Sequence, residues 1–165
     1  MPLEDFIILV YCLVDDFYKE TTKNIILRHR GPQPKLTDSE VITMDIVGEY
    51  LGLNHDKNIW AYFKIYWKHF FPTLGCRTTY VRQSANLWRI KSMIQTQLSQ
   101  SFQGDLAMFD GFPIPICHIK RYKKSSLFKS EGAVGYCASK DEKYFGFSGN
   151  LMISRCGGIR GFALT

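Results

Sequence analysis

Apolar residues in the first hundred positions recur at the three- and four-residue spacing of amphipathic helices. Over residues 3–19 the apolar stripe consists of Leu3, Phe6, Ile7, Val10, Leu13, Val14 and Phe17. Charged residues, among them Asp5, Asp16 and Lys19, fall on the other face. The pattern predicts that the chain begins with a helix over these residues.

A second helix is predicted to begin at residues 37–40. There Thr37 and Glu40 have the spacing of a capping box, in which each side chain binds the other residue's amide. Gly52 suits the left-handed conformation that ends a helix, and a third helix is expected from Asp56 to Phe70, before Pro72. The pair has the outline of a DNA-reading helix-turn-helix, although any helical hairpin has that outline.

Another helix is expected from Thr79, as N-cap, through Gln100. We therefore predict an all-helical domain over residues 1–103. Its helices hold many aromatic residues, which predict a bulky aromatic core: Trp60, Tyr62, Phe63, Tyr66, Trp67, Phe70 and Phe71.

The spacing of apolar residues changes near residue 104. There the apolar run 106–110 predicts a buried strand ended by Asp110-Gly111. Pro113 and Pro115 exclude a central strand just after it. Two further strands are expected, one from residues 144–147 with 151–153 and one at 159–164. The fold class is therefore α+β, with a second domain over residues 104–165 whose small sheet leaves one face bare.

Positive charge concentrates in the second domain, although the whole chain carries a net charge of only +6. No acid occurs between Asp110 and Glu131, whereas this interval holds Lys120, Arg121, Lys123, Lys124 and Lys129. Such a segment can neutralise nucleic-acid phosphates and release their counterions. A solvated loop remains the alternative.

The remaining composition indicates a cytoplasmic protein. The apolar run 6–14 is too short to span a bilayer and follows acids rather than the basic stretch of a signal peptide. The five cysteines form no C-x-x-C pair, which argues against disulfides and structural zinc and predicts reduced, mostly buried thiols. The four histidines show no metal-ligand spacing.

Five stretches in order resemble the DDE transposases of prokaryotic insertion sequences, and together they cover nearly the whole chain. They are residues 36–42 (LTDSEVI), 80–88 (YVRQSANLW), 110–117 (DGFPIPIC), 135–138 (GYCA) with 144–147 (YFGF), and 161–165 (GFALT). The resemblance implies a helical DNA-binding region followed by an incomplete RNase H-like catalytic domain. In such domains the first catalytic carboxylate ends the first strand, and the matching residue here is Asp110.

The resemblance also implies a Mg²⁺ site of which Asp110 is one ligand. The later Asp and Glu of the family are expected beyond Thr165, and two-metal phosphoryl transfer needs several oxygen ligands. The nearby acids Asp105, Asp141 and Glu142 are poor substitutes. Similar proteins tend to carry a histidine at the position of Asn150, which is a further departure.

The resulting hypothesis is a truncated DNA transposase that binds element ends and target DNA and lacks catalysis as this chain. Phosphate contacts are expected from Lys120, Arg121, Lys123 and Lys124, with Arg82, Arg89 and Lys91 as further candidates. The partner is DNA, with a homodimer or a full-length transposase as possible protein partners, and no membrane. The alternatives are a non-enzymatic DNA-binding remnant that occupies element ends or inhibits the full-length enzyme, and the unstable product of a decayed reading frame.

Overall fold

The computed structural model describes residues 1–28, 31–101, 106–124 and 126–165. The chain divides into two compact units, Met1–Gln97 and Leu98–Thr165. Helices make up the first unit, and an antiparallel sheet makes up most of the second. The predicted α+β class with its helices at the N-terminus is therefore confirmed. His29 and Asp105 lie outside the described residues.

Five α-helices form the N-terminal part of the chain: α1 (Leu3–Thr22), α2 (Asp38–Tyr50), α3 (Asp56–Tyr66), α4 (Arg77–Asn86) and α5 (Trp88–Gln100). Helix α2 lies at the centre, because it packs against α1, α3 and α4. Its residues Val41, Met44 and Val47 are fully buried. Burial of such side chains contributes about 1.5–3 kcal/mol each, so the buried face of α2 stabilises this unit.

The two signals that bound α2 in the sequence are both confirmed. The Glu40 amide donates to Thr37 Oγ1 at 3.2 Å, and the Thr37 amide donates to Glu40 Oε2 at 2.6 Å. Gly52 has φ +74° just after the helix, a conformation that a side chain disfavours. Local chemistry thus determines where this helix begins and ends.

The other helices differ from their predicted bounds. Helix α3 ends at Tyr66 instead of Phe70. The single helix expected from Thr79 to Gln100 is two helices, because Leu87 leaves helical geometry (φ −88°, ψ 3°) and its amide bonds to Ser84 three residues back. The N-cap is Cys76 rather than Thr79. Of the predicted aromatic core, Phe63 and Phe71 are buried edge to face, whereas Tyr66 is exposed.

A buried polar network connects α1, α2, α4 and the segment before α2. Asp38 is 4% exposed and accepts hydrogen bonds from Arg28 Nη1 at 2.8 Å, Tyr18 at 2.7 Å and Gln83 Nε2 at 2.8 Å, besides a second bond from Arg28. Burial alone would raise the pKa of Asp38, but these donors together hold it below its usual value. The ionised carboxylate therefore stabilises the helical unit.

The sheet of the second unit has four strands: β1 (Ala107–His118), β2 (Ala133–Cys137), β3 (Glu142–Ser154) and β4 (Ile159–Leu164). Strand β3 is central and antiparallel to all the others. One edge of β3 pairs with β1, while its other edge pairs with β2 near residues 142–146 and with β4 near residues 149–153. The strand expected from residues 144–147 with 151–153 is confirmed as β3, and the one expected at 159–164 is confirmed as β4, whereas β2 was not expected.

Strand β1 passes through both prolines, which corrects the expectation that the strand ends at Asp110-Gly111. Pro113 lies opposite Ser148, whose N–H and C=O both bond to Thr165 on the far side of β3. In an antiparallel pair the groups of Pro113 then also face away from β3. The missing N–H falls on the edge of β1 opposite to β3, where a proline is tolerated.

The structure also bears on the predictions about the cysteines and about membrane-spanning helices. All five cysteines are free, but Cys12, Cys76 and Cys156 are exposed, so the expectation of mostly buried thiols is wrong. Among the described residues, no helix combines the length and apolar character needed to cross a bilayer.

Candidate functional site

Asp110 lies exposed in the first half of β1, directly opposite Leu151 of β3. Side chains alternate between faces along a strand, so Asp110 shares its face with Phe112. That ring lies 6.3 Å from the ring of Phe162 on β4. Asp110 is therefore an exposed carboxylate on a sheet face that also carries the rings of Phe112 and Phe162.

Among the described residues, Asp110 lacks the neighbouring ligands that Mg²⁺ requires. No group of three His, Cys, Asp or Glu side chains within them lies close enough to hold a metal ion. Asp141 and Glu142 lie at the β2–β3 hairpin, and Glu142 is nine residues along β3 from Leu151, about 30 Å in an extended strand. Since Mg²⁺ prefers octahedral oxygen coordination, the described residues around Asp110 supply only part of what a Mg²⁺ site needs.

Asn150 occupies the opposite face of the sheet. It pairs with Gly111, one position from the Asp110–Leu151 pair, and its Nδ2 donates to Thr165 Oγ1 at 3.2 Å. A Cβ added at Gly111 would lie 3.5 Å from Asn150 Oδ1, which places both on the same face. A histidine at position 150 would therefore also point away from Asp110.

The candidate phosphate-binding residues lie together just after β1. Residues Ile119–Lys124 form a short 3₁₀ helix in which Lys120, Arg121, Lys123 and Lys124 are all exposed. The Tyr122 ring lies 5.7 Å from Phe145 of β3 and holds this helix against the sheet. Within the described parts of the chain, none of the four cations forms a salt bridge. We call these four residues the cationic segment.

The cationic segment lies at the far end of β1 from Asp110. Eight residues separate Asp110 from His118 at the end of the strand, which corresponds to roughly 26 Å at 3.3 Å per residue. One stretch of duplex DNA would cover this distance in about eight base pairs. The cationic segment therefore does not share one site with Asp110.

The three further candidates belong to the helical part of the chain and differ in their surroundings. Arg82 and Arg89 are exposed. Lys91 instead lies 2.6 Å from Asp45 and donates to Ser84 at 2.9 Å. The positive charge of Lys91 is compensated by Asp45 within the helical bundle, so Lys91 has a structural role in this arrangement.

A cleft in the helical unit was missed by the sequence reasoning. It has a volume of about 800 Å³ and lies between residues 32–36 and the first turns of α4. Lys35 and Arg82 line it, and no acidic side chain does. At its rim the hydrogen bond from Thr79 lowers the pKa of the Cys76 thiol. Nothing in the spacing of these residues marks a cleft, because it forms only when α4 packs beside that segment.

The comparisons leave the family of this chain open. No protein-family model, curated protein or solved structure matches it. Functional assignment therefore depends on the geometry above and on the ordered resemblance of its segments.

Proposed function

We propose that this chain is the DNA-binding and first-carboxylate part of an insertion-sequence transposase of the DDE class. The complete activity would be Mg²⁺-dependent cleavage of a phosphodiester followed by transfer of the freed 3′ hydroxyl to target DNA. In the proposal the protein acts in the cytoplasm, binds element ends and target DNA, and pairs with itself or with a full-length transposase. The sheet would be the first part of an RNase H-like domain.

One observation carries the proposal: strand β1 carries an exposed carboxylate, and the cationic segment, which forms no salt bridge among the described residues, follows directly after the strand. Exposure leaves Asp110 accessible to a metal ion, and the cationic segment offers four charges to phosphates. Together they are the parts that a DNA-cutting site needs, namely an oxygen ligand and a backbone anchor. Arg82 and Lys35 in the cleft add further cations in the helical unit.

Because Asp110 is a single carboxylate, we expect this chain to lack DNA-cutting activity. Two-metal catalysis stabilises the attacking and leaving oxygens between ions about 4 Å apart, which one aspartate cannot position. We expect supercoiled plasmid incubated with the purified chain and Mg²⁺ to remain uncut. Nicking that Asp110→Ala abolishes would contradict this expectation and would show that the chain completes its own site.

DNA binding is the directly testable half of the proposal. We expect affinity for duplex DNA to fall steeply with salt, and the double substitution Lys123→Gln, Lys124→Gln to reduce the slope of log K against log salt by about 1–2. Lys140→Gln, Lys143→Gln is the matched control, because both lysines are exposed on the same unit but lie at the β2–β3 hairpin. Equal slopes for the two double variants would refute a role for the cationic segment.

A second candidate is a DNA-binding protein without catalysis, favoured by the isolation of Asp110 from the other described acids. It would occupy element ends or inhibit a full-length transposase. Salt-dependent binding without nicking, together with unchanged binding in Asp110→Ala, would support this second function. Restored nicking when a separate polypeptide carrying the later Asp and Glu is added would support the first.

A further inference from the structure

The solvent-facing side of α1 carries an apolar band that is partly exposed. Ile8, Leu9 and Leu13 are each exposed to nearly half of their full extent, and Cys12 beside them is also exposed. Their spacing of one, three and four residues forms a continuous band over two helical turns. The opposite side of α1 already holds the helix in place through Ile7, Val10 and Val14.

The packing of α1 therefore does not require this band. An amphipathic helix at the surface of a domain normally presents polar residues outward. The band is extended at the N-terminal end of α1, where the Phe6 ring lies 4.5 Å from the ring of the exposed Tyr50 of α2, in a tilted arrangement. Contiguous exposed apolar surface of this kind marks an interaction site.

Acidic residues surround the band. Asp5 lies one turn before Leu9, and Asp16 and Glu20 lie one and two turns after Cys12. Lys19 pairs with Asp15 at 2.5 Å and also interacts electrostatically with Asp16, so it compensates these acids only in part. Glu20 is also in the last turn of α1, where the helix dipole disfavours negative charge. The acids around the band thus outnumber the lysines Lys19 and Lys23 at the end of α1, which favours a positively charged partner.

The acids around the band distinguish between the molecules that could bind it. In an antiparallel pairing of two copies that places Leu9 opposite Cys12 and Ile8 opposite Leu13, Asp5 faces Asp16 of the other copy at both ends. Like charges placed directly opposite each other disfavour such a contact. An anionic membrane would meet the same acids. A helix that has an apolar stripe flanked by Lys or Arg matches both the apolar band of α1 and the acids around it.

We propose that the outer face of α1 is a docking surface for a basic amphipathic helix of another polypeptide. The leucines of α1 provide the apolar contact, and Asp5, Asp16 and Glu20 pair with the cations that flank the partner's stripe. This inference is independent of the proposed function, because neither Asp110 nor the cationic segment takes part.

The test uses a synthetic helical peptide of about 18 residues, with leucines at helical spacing and lysines at the flanks. We expect it to bind the full chain, and a peptide with glutamate in place of every lysine not to bind. Leu9→Ser with Leu13→Ser should weaken binding at least about tenfold. Ile65→Ser is the matched control, because Ile65 is an apolar residue of α3 that is 69% exposed, and it should leave binding unchanged.

Charge is tested by Asp5→Asn, Asp16→Asn and Glu20→Gln together, which should weaken binding and remove most of its salt dependence. Far-UV circular dichroism verifies that each variant is folded. Equal binding of the two peptides, or full binding by the Leu9, Leu13 variant, would overturn the proposal. So would a dimer of the parent chain that this variant dissociates, or binding of phosphatidylserine vesicles that it abolishes.

Discussion

The helical unit and the sheet unit bury their apolar residues to very different extents. Among the described residues, sixteen of the eighteen buried apolar side chains lie between Ile7 and Ile94, and only Cys137 and Phe145 belong to the sheet unit. In the sheet, large side chains such as Met108, Phe109, Phe162 and Leu164 are at least half exposed. The difference shows that the backbone pairing of β1, β3 and β4 does not by itself build a core.

The comparison also concerns polar groups. The helical unit holds Asp38 and Asp45 in networks of hydrogen bonds and ion pairs, whereas Asp110 stands on an open face. A buried carboxylate must be compensated by donors, but an exposed one remains available for a ligand. Structural and candidate functional acids are therefore separated between the two units.

The largest effect is expected from the core of the helical unit. Phe63 is fully buried and meets Phe71 edge to face at 5.2 Å, so Phe63→Ala should lower the free energy of unfolding by about 3–5 kcal/mol. All three tryptophans, Trp60, Trp67 and Trp88, lie in this unit. Denaturant unfolding followed by tryptophan fluorescence therefore reports on it alone.

Phe162→Ala is the comparison for the sheet unit. This ring is 50% exposed, and its removal should leave the fluorescence transition unchanged. Phe63→Ala should shift that transition strongly to lower denaturant. Equal shifts for the two variants would mean that the units unfold together and would remove the contrast.

The sequence was informative where local chemistry decides the structure. The capping box of Thr37 and Glu40 and the left-handed Gly52 define α2 because each acts within a few residues. The sequence was misleading where contacts between residues far apart in the chain decide the structure. Pro113 of β1 is accepted because Ser148 directs its backbone groups towards Thr165, and this relation joins residues far apart in the chain.

The candidate site shows the same limit. Asp110 and the cationic segment were found from local patterns, but their separation along β1 follows from the strand continuing to His118. The internal pairing of Lys91 with Asp45 joins two helices, α5 and α2, that are far apart in the chain, and the sequence has no local signal for it. The break at Leu87 that precedes α5 is likewise invisible in the apolar period.

A somewhat smaller effect is expected from Asp38→Asn. The substitution removes the carboxylate opposite Arg28 and should cost about 3 kcal/mol of unfolding free energy. The pKa of Asp38 is lowered by folding, so its contribution is complete above the unfolded value of about 3.9 and is lost as the pH falls through the lower folded value.

Unfolding by denaturant at pH 7 and at pH 3, followed by tryptophan fluorescence, checks this prediction. The difference between the parent and the Asn variant should shrink at the lower pH. Asp56→Asn is the control, because Asp56 is exposed in the first turn of α3 and forms no salt bridge among the described residues. A pH-independent difference would contradict the role of the ionised carboxylate.

The close crossing of α2 and α3 predicts a more moderate effect. A Cβ at Gly48 would lie 2.6 Å from Cγ1 of Ile59, so Gly48→Ala should destabilise the helical unit by about 1–3 kcal/mol through overpacking. In an Ile59→Ala background the same change should cost much less, because the conflicting atoms are gone. Gly75→Ala, which meets no atom within 4 Å, should be nearly neutral. An equal cost of Gly48→Ala in both backgrounds would exclude the steric explanation.

The smallest effect on stability, but one specific to the sheet unit, is expected from Pro113→Thr. The new N–H would face away from β3, at an edge of β1 that pairs with no described strand. Loss of the ring's constraint on the unfolded chain should cost no more than about 1 kcal/mol. The new donor, however, adds an unpaired site to an edge strand, which favours strand-to-strand association. Light scattering at increasing protein concentration should therefore show more self-association for Pro113→Thr than for Pro32→Thr, which loses the same constraint in the exposed segment before α2. Identical scattering by the two variants would show that the prolines of β1 do not protect this edge.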